Sequence, residues 1–334
     1  MMIIRRFIAI TCTIILTSHQ GFGAAPADYQ TVVNQINTDS SLISQWMSDQ
    51  LRYIVPFNST AGAVVPSQLK IFGFEVGVEG VVSGTELDVS GLRNLPTSVV
   101  DTKTIDTFNR FPMPAVIGHA KIGLPFGLDA GVRVGGIPKQ SFDSNKTHVS
   151  VKNGIFGIDL RKKLIEEGIA KPFGLTIGAS FTRASGSIDA TTPYTSNSQT
   201  TANGTTYNST LNATGNGHSE WDTKSLGFQA ILNKKILFIN PYVGASANRN
   251  FGSVSTAITT TGTETITNAS NPADTSSQSF STLGSGSADA NKWDIRALAG
   301  IEFSLLPFMR LGLHGEYAGS KNVAGALGLR VQFR

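Results

Sequence analysis

The 334-residue chain carries 27 Lys and Arg against 23 Asp and Glu, a net charge of +4, with 35 glycines and only 15% charged residues. Mean hydropathy is close to zero, at +0.01. So small and scattered a charge, with no basic stripe interleaved with aromatics, excludes nucleic acid as the expected partner. The single cysteine, Cys12, falls in the N-terminal apolar run, so no disulfide framework is expected.

Residues 1–23 read as a secretory signal peptide. Arg5 and Arg6 precede an apolar run from Phe7 to Leu16, and small residues follow around Gly21-Phe22-Gly23. The run is shorter than the roughly 20 residues a spanning helix needs. Cys12 lies inside it rather than after it, which argues against a lipid-modified cysteine.

Residues 24–66 form a separate N-terminal helical segment. TDSSLISQWMSDQLRYIV places Leu42, Ile43, Trp46, Met47, Leu51 and Ile54 at helical spacing, with Thr38, Asp39 or Ser40 as the N-cap. The pattern predicts an amphipathic helix lying on whatever follows; a periplasmic element or a plug at a barrel mouth is the sharper form of that reading.

From Ser67 the apolar period becomes two, broken by turns. The pattern predicts about ten strands, near 69–82, 115–123, 128–137, 148–161, 173–185, 221–232, 239–251, 292–304, 309–318 and 323–333. The phase changes near Asn153–Ile155, where a bulge is expected. Connectors 124–127, 162–172, 233–240 and 305–308 are short, whereas 83–114, 138–147, 186–220 and 252–291 are long or polar; only the short 320–322 breaks the alternation. A further hairpin within 83–114 would raise the count to twelve. The Ser/Thr/Asn/Gly tracts of 186–220 and 252–291 are expected as solvated loops or extended hairpins. Their Asn-x-Ser/Thr triplets at Asn203, Asn208, Asn212 and Asn268 follow from composition.

Alternating long and short connectors with an even strand count put both chain ends on one side, the pattern of a membrane barrel. The apolar faces carry almost no charge through mid-strand: Phe72, Phe74, Val76 and Val78 in one strand, Leu327, Leu329, Val331 and Phe333 in the last. Charge on a lipid-facing surface would cost about 2–4 kcal/mol at the midplane. Trp221, Trp293, Tyr242, Tyr317 and Phe333 fall near strand ends and are expected at the membrane interfaces. The opposite faces place Glu75, Glu79, Asp129, Arg133, Asp294, Arg296, Glu302, Arg310, His314, Glu316 and Arg330 as lumen candidates. Acids and bases nearly balance there, which fits an ion-paired core or a narrow mixed-charge pore better than a sign-selective channel.

These features describe an all-β chain: a transmembrane antiparallel up-and-down β-barrel over 67–334, preceded by the short helix. With its leader, loop asymmetry and terminal LGLRVQF, the chain resembles bacterial outer-membrane β-barrel proteins of an uncharacterised family. That resemblance implies the outer membrane as location, its lipid as a partner, and the barrel assembly machinery reading the C-terminal strand. Here Phe333 is followed by Arg334, a departure from the usual terminal aromatic.

The expected role is passive transport of a small solute or a structural envelope function. The alternative is a surface-binding, adhesin-like barrel acting through its long loops. A rim hydrolase and a soluble exported β-sandwich are weaker readings. His148, His218, Asp222 and Asp294 are rim residues without the geometry a general base needs. His314 and Glu316 share a strand face, but two ligands make no zinc site. No catalytic residue, cofactor or metal is assigned.

Overall fold

The computed structural model describes residues 29–62, 66, 69–88, 90, 110–144, 147–168, 171–202, 204–319 and 322–333. The leader expected over 1–23 and most of connector 83–114 lie outside the described residues.

A helix, α1 (Tyr29–Thr60), precedes eleven strands among the described residues. They are β1 (Phe74–Glu86), β2 (Arg110–Leu124), β3 (Leu128–Ser144), β4 (Thr147–Ile165), β5 (Gly174–Ala202), β6 (Thr205–Asn233), β7 (Ile239–Asn268), β8 (Asn271–Asp289), β9 (Trp293–Leu306), β10 (Met309–Ala318) and β11 (Asn322–Phe333). All pairings are antiparallel, and β6–β7 and β1–β11 contacts close the sheet on itself. Closure leaves no open edge in the hydrocarbon, a requirement for any β-structure that crosses lipid.

Ten of these strands make the ring. β8 pairs with β7 over Ser253–Asn268, and β9 pairs with the lower stretch of β7, Ile239–Arg249. They are successive halves of one descending wall, broken at residues 290–292. The ten expected strands each fall on one ring strand, and the eleventh is the continuation of the β7 hairpin above it.

Turns β2–β3, β4–β5, β6–β7 and β9–β10 gather at one end with Phe74 and Phe333, the partners that begin β1 and end β11. The tight β2–β3 turn, Pro125–Gly127, takes Phe126 and Gly127 to φ 64° and 69°. At the other end residues 186–202, 205–220, 252–268 and 271–289 are paired strand. β5 and β6 run in unbroken register from Gly174↔Asn233 to Ala202↔Thr205. About ten residues per strand cross lipid, so this hairpin projects roughly 60 Å beyond it at ~3.3 Å per residue. Threonine's β-branch suits a pleated surface, and cross-strand side chains bond on the solvent face. Thr191–Asn216 is 2.9 Å, Thr195–Asn212 3.0 Å and Gln199–Asn208 2.9 Å.

The bulge expected in β4 lies instead on its neighbour. The β3–β4 register shifts between Ile137 and Gln140, beside Gly136 at φ 127°, while β4 keeps its register through Asn153–Ile155 and shifts only between Lys163 and Ile165. What changes along β4 is the polarity of its inner face. Val149, Val151 and Ile155 point inward above; Asp159 and Arg161 point inward below, with Phe156, Ile158 and Leu160 outward. An inversion of polarity at constant phase mimics a slip of phase.

Candidate functional site: the barrel lumen and its helix

The upper lumen is a dry core. Ile117, Phe111 and Met113 of β2, Val149 of β4, Trp221 of β6 and Val254 of β7 point inward. Met47, Leu51, Ile54, Val55 and Phe57 of α1 fill the space between them. Leu51, Ile54 and Phe57 are fully buried, each contributing about 1.5–3 kcal/mol by burial alone. α1 therefore lies inside the ring, on its long-hairpin side. It begins at Tyr29, so Thr38, Asp39 and Ser40 are interior helix residues rather than caps; the Thr38 hydroxyl donates back to the Asn34 carbonyl at 3.0 Å.

One side of α1 touches the wall backbone to backbone. A Cβ on Gly284 would collide with the main chain of Ser40 and Ser41, and one on Gly286 with that of Ser44 and Gln45. These glycines let the helix approach closely enough for Ser44 Oγ to donate to the Gly284 carbonyl (3.2 Å) and Ser48 Oγ to the Gly286 carbonyl (3.1 Å). The Gln45 amide donates to the Ser287 carbonyl at 3.1 Å and accepts from its N–H at 3.3 Å. Pro56 lacks the N–H that would otherwise satisfy the Arg52 carbonyl one turn earlier. That carbonyl accepts from the Asn291 N–H at 3.1 Å, in the break between β8 and β9. Of these residues the sequence marks only Ser40, as an N-cap candidate. The legible signal was a serine every fourth helix position (40, 44, 48) and, far downstream, Gly284-Ser285-Gly286.

Below the helix the lumen is charged and paired. All eleven lumen candidates are buried and point inward. Glu75 meets Arg330 at 2.9 Å and Lys121 at 3.2 Å, with the His119 ring at 3.4 Å. Arg330 also reaches Glu302, which Arg310 approaches at 3.5 Å. Arg161 bridges Asp129 (3.0 Å) and Asp159 (3.1 Å), and Arg133 bonds Thr182. Glu79 lies beside His119, with 3.9 Å between its oxygen and the ring Nδ1.

Arg296 joins the two floors. Its guanidinium bonds Asp294, Glu316 (2.7 Å) and Thr60, the last residue of α1, and stacks 4.1 Å above the Phe57 ring. Glu316 further accepts from the Gly62 N–H at 3.0 Å and meets His314 Nε2 at 2.8 Å. A cavity of about 30 Å³ beside this junction is bounded by Thr60, Gly62, Arg133, Asp159, Gln229 and Asn248, among others. It has room for about one water molecule.

Two interface expectations are corrected. Trp221 is 4% exposed and points inward, its indole N–H donating to Asn153 Oδ1 at 3.2 Å. Tyr242 is 3% exposed, its hydroxyl 3.2 Å from His314 Nδ1. Both occupy inward positions on their strands, and amphipathic rings satisfy a core as readily as a headgroup layer once the polar atom has a partner. Trp293, Tyr317 and Phe333 face outward, about half exposed. Phe333 stacks on Phe74, ring centres 4.7 Å apart, at the short-turn rim.

The rim residues do not converge. His148 pairs with Asp143 (2.8 Å), His218 with Asp189 (2.5 Å), and Asp222 with Arg183 on the outer wall, whereas Asp294 is inside with Arg296.

A closed antiparallel ring with an apolar outer belt is how a bacterial outer-membrane β-barrel crosses lipid, and this chain is one. It is similar in structure to the translocator domain of the autotransporter NalP from Neisseria meningitidis. Identity is 9%, coverage 84% of this chain and 93% of that one, and the TM-score 0.31. It is also similar to Ail, the attachment invasion locus protein of Yersinia pestis, with 11% identity, coverage of 79% and 99%, and a TM-score of 0.26. A major outer membrane protein from Thermus thermophilus matches with 9% identity, coverage of 78% and 99%, and a TM-score of 0.31. No curated relative matches the chain by sequence. The model of a family of unknown function, DUF6588, matches residues 8–333, and the chain belongs to that family.

Proposed function

We propose that the protein is a structural barrel of the outer membrane, closed to solutes at rest, which holds its extended hairpins outward as a contact surface. The supporting observation is the double seal of the lumen: α1 buried in a dry core above, and a paired charge network below, joined through Arg296. Such a lumen lends rigidity to the platform from which β5–β8 rise. In planar bilayers the intact protein is expected to give no discrete conductance steps; regular steps from the intact protein refute the closed reading.

The contact surface is tested separately. Excising residues 196–211 removes the outermost β5–β6 ladder, from the Ser196↔Leu211 pair to the tip, without touching the ring. Heat-modifiable gel mobility is expected to be retained and attachment of cells to host or neighbouring-cell surfaces reduced. Unchanged attachment counts against the hairpins as the contact surface.

A second reading has its own support. The inner faces of β5, β6 and β7 at the lower level carry Thr176, Ser180, Ser225, Gln229, Asn240 and Asn248, a neutral polar lane opposite the charged wall. Withdrawal of α1 would open this lane to a small polar solute, making the barrel a gated passage rather than a permanent pore.

A further inference from the structure

The outer wall carries a feature that the closed-barrel reading does not use. On β5 the outward residues climb from Leu175 through Ile177, Ala179 and Phe181 to Arg183. On β6 they climb from Leu232 through Ala230, Phe228 and Leu226 to Lys224, and on β7 from Val243 through Ala245 and Ala247 to Arg249. A spanning strand needs about 9–11 residues. Counted from the short-turn ends Gly174, Asn233 and Ile239, the three bases stand at positions ten, ten and eleven. Each is thus the first charge above an apolar ladder, at the level where the long-hairpin side leaves the hydrocarbon.

The bases are neighbours. Arg183 and Lys224 are direct cross-strand partners, and Arg249 pairs with Leu226, the next outward residue below Lys224. Like charges directly opposite, with Cβ atoms about 5 Å apart, destabilise a ladder unless an anion lies between them. Asp222 answers only part of this, accepting from Arg183 Nε (3.0 Å) and Nη2 (2.7 Å). Arg249 is held in place by two rings, its guanidinium 5.4 Å from the centre of Phe251 and 5.5 Å from that of Trp293. Exposed bases also stand on β2 (Arg110), β3 (Lys139) and β4 (Lys152), on the same side of the ring as β5. The outward positions of β1, β9, β10 and β11 carry no base among the described residues.

We propose that Arg183, Lys224 and Arg249 form a docking site for the phosphorylated headgroup of an outer-leaflet lipid. The apolar ladder below takes the acyl chains, and the two Arg forks and the ammonium take the phosphate oxygens. Lipid is favoured over a free ion because the bases sit directly above hydrocarbon-facing side chains, so one molecule satisfies both surfaces.

Folded protein in a neutral detergent is titrated with lipid A and the bound lipid counted by native mass spectrometry. The variant Arg183→Gln/Lys224→Gln/Arg249→Gln is expected to bind about a hundredfold more weakly, roughly fivefold per base. Asp222→Asn should bind more tightly, because it frees the Arg183 fork, and it serves as a second test should the triple variant fold poorly. Lipid A stripped of phosphate should bind the intact protein no better than intact lipid A binds the triple variant. Equal binding by the intact protein and the triple variant overturns the proposal, as does indifference to dephosphorylation. Displacement of lipid A by an equal concentration of inorganic phosphate would show that the ion alone is the ligand, which also overturns it.

Discussion

Replacing Arg296 with methionine should lower the stability of the folded barrel by about 3–5 kcal/mol, the cost of leaving a buried ionic partner unanswered. The reason is its position: the guanidinium bonds Asp294 and Glu316, both buried, and holds Thr60 at the end of α1. Methionine keeps the volume and the contact with Phe57 but deserts two carboxylates. Neutralising them as well, in Arg296→Met/Asp294→Asn/Glu316→Gln, should recover a substantial part of the loss, because an apolar and neutral set tolerates the dry site that an unpaired acid does not. The measurement is the urea midpoint of the compact, heat-modifiable gel band for each variant. A single variant as stable as the parent would mean that Arg296 is dispensable to the junction.

The second large effect concerns the seat of α1. Leucine at both Gly284 and Gly286 inserts side chains where the main chain of Ser40, Ser41, Ser44 and Gln45 now lies. Overpacking costs typically about 1–3 kcal/mol per site in a well-packed region, and the helix can relieve it by leaving the wall. The ring pairs of β1–β7 and β9–β11 do not involve these glycines, so the compact band should persist while α1 becomes cleavable by added protease. In planar bilayers the leucine variant is expected to show discrete steps where the parent is silent. Protease-sensitive α1 without conductance would confine the protein to the structural role and remove the gated reading. Unchanged protection of α1 would show that the glycine contact does not hold it.

Much of this architecture was legible in the sequence because membrane strands repeat a simple physical demand. Leu327, Leu329, Val331 and Phe333 alternate with Arg330 and Gln332 for the same reason that they face lipid and lumen in β11. The hairpins were harder to read. Their ladder from Thr191 to Thr201 is nearly all Thr, Ser, Asn and Gln, broken only by Pro193 and Tyr194, so a count of apolar residues passes over it. Trp221 and Tyr242 break the expectation because position parity, not nearness to a strand end, sets the face: both stand at inward positions, where Asn153 and His314 satisfy their polar atoms. The dry upper lumen was hidden by a related effect. Val149, Val151 and Ile155 read as a lapse of phase when in truth the environment of the inner face changes from water-like pairing to packed helix. The charged lower lumen survived this ambiguity because ions leave fewer choices.

The direction of α1 has a consequence for how the molecule is put together. Its first turns lie among the hairpins, where Ile36 packs with Ala213 and Phe280, yet β1 starts at the opposite rim, with Leu69 and Lys70 beside Gly123. The polypeptide therefore runs the length of the cylinder before its first strand begins. A cylinder closed first would have to be threaded like a needle, whereas closing the β1–β11 seam last would sew the wall shut around a leading segment already in its place.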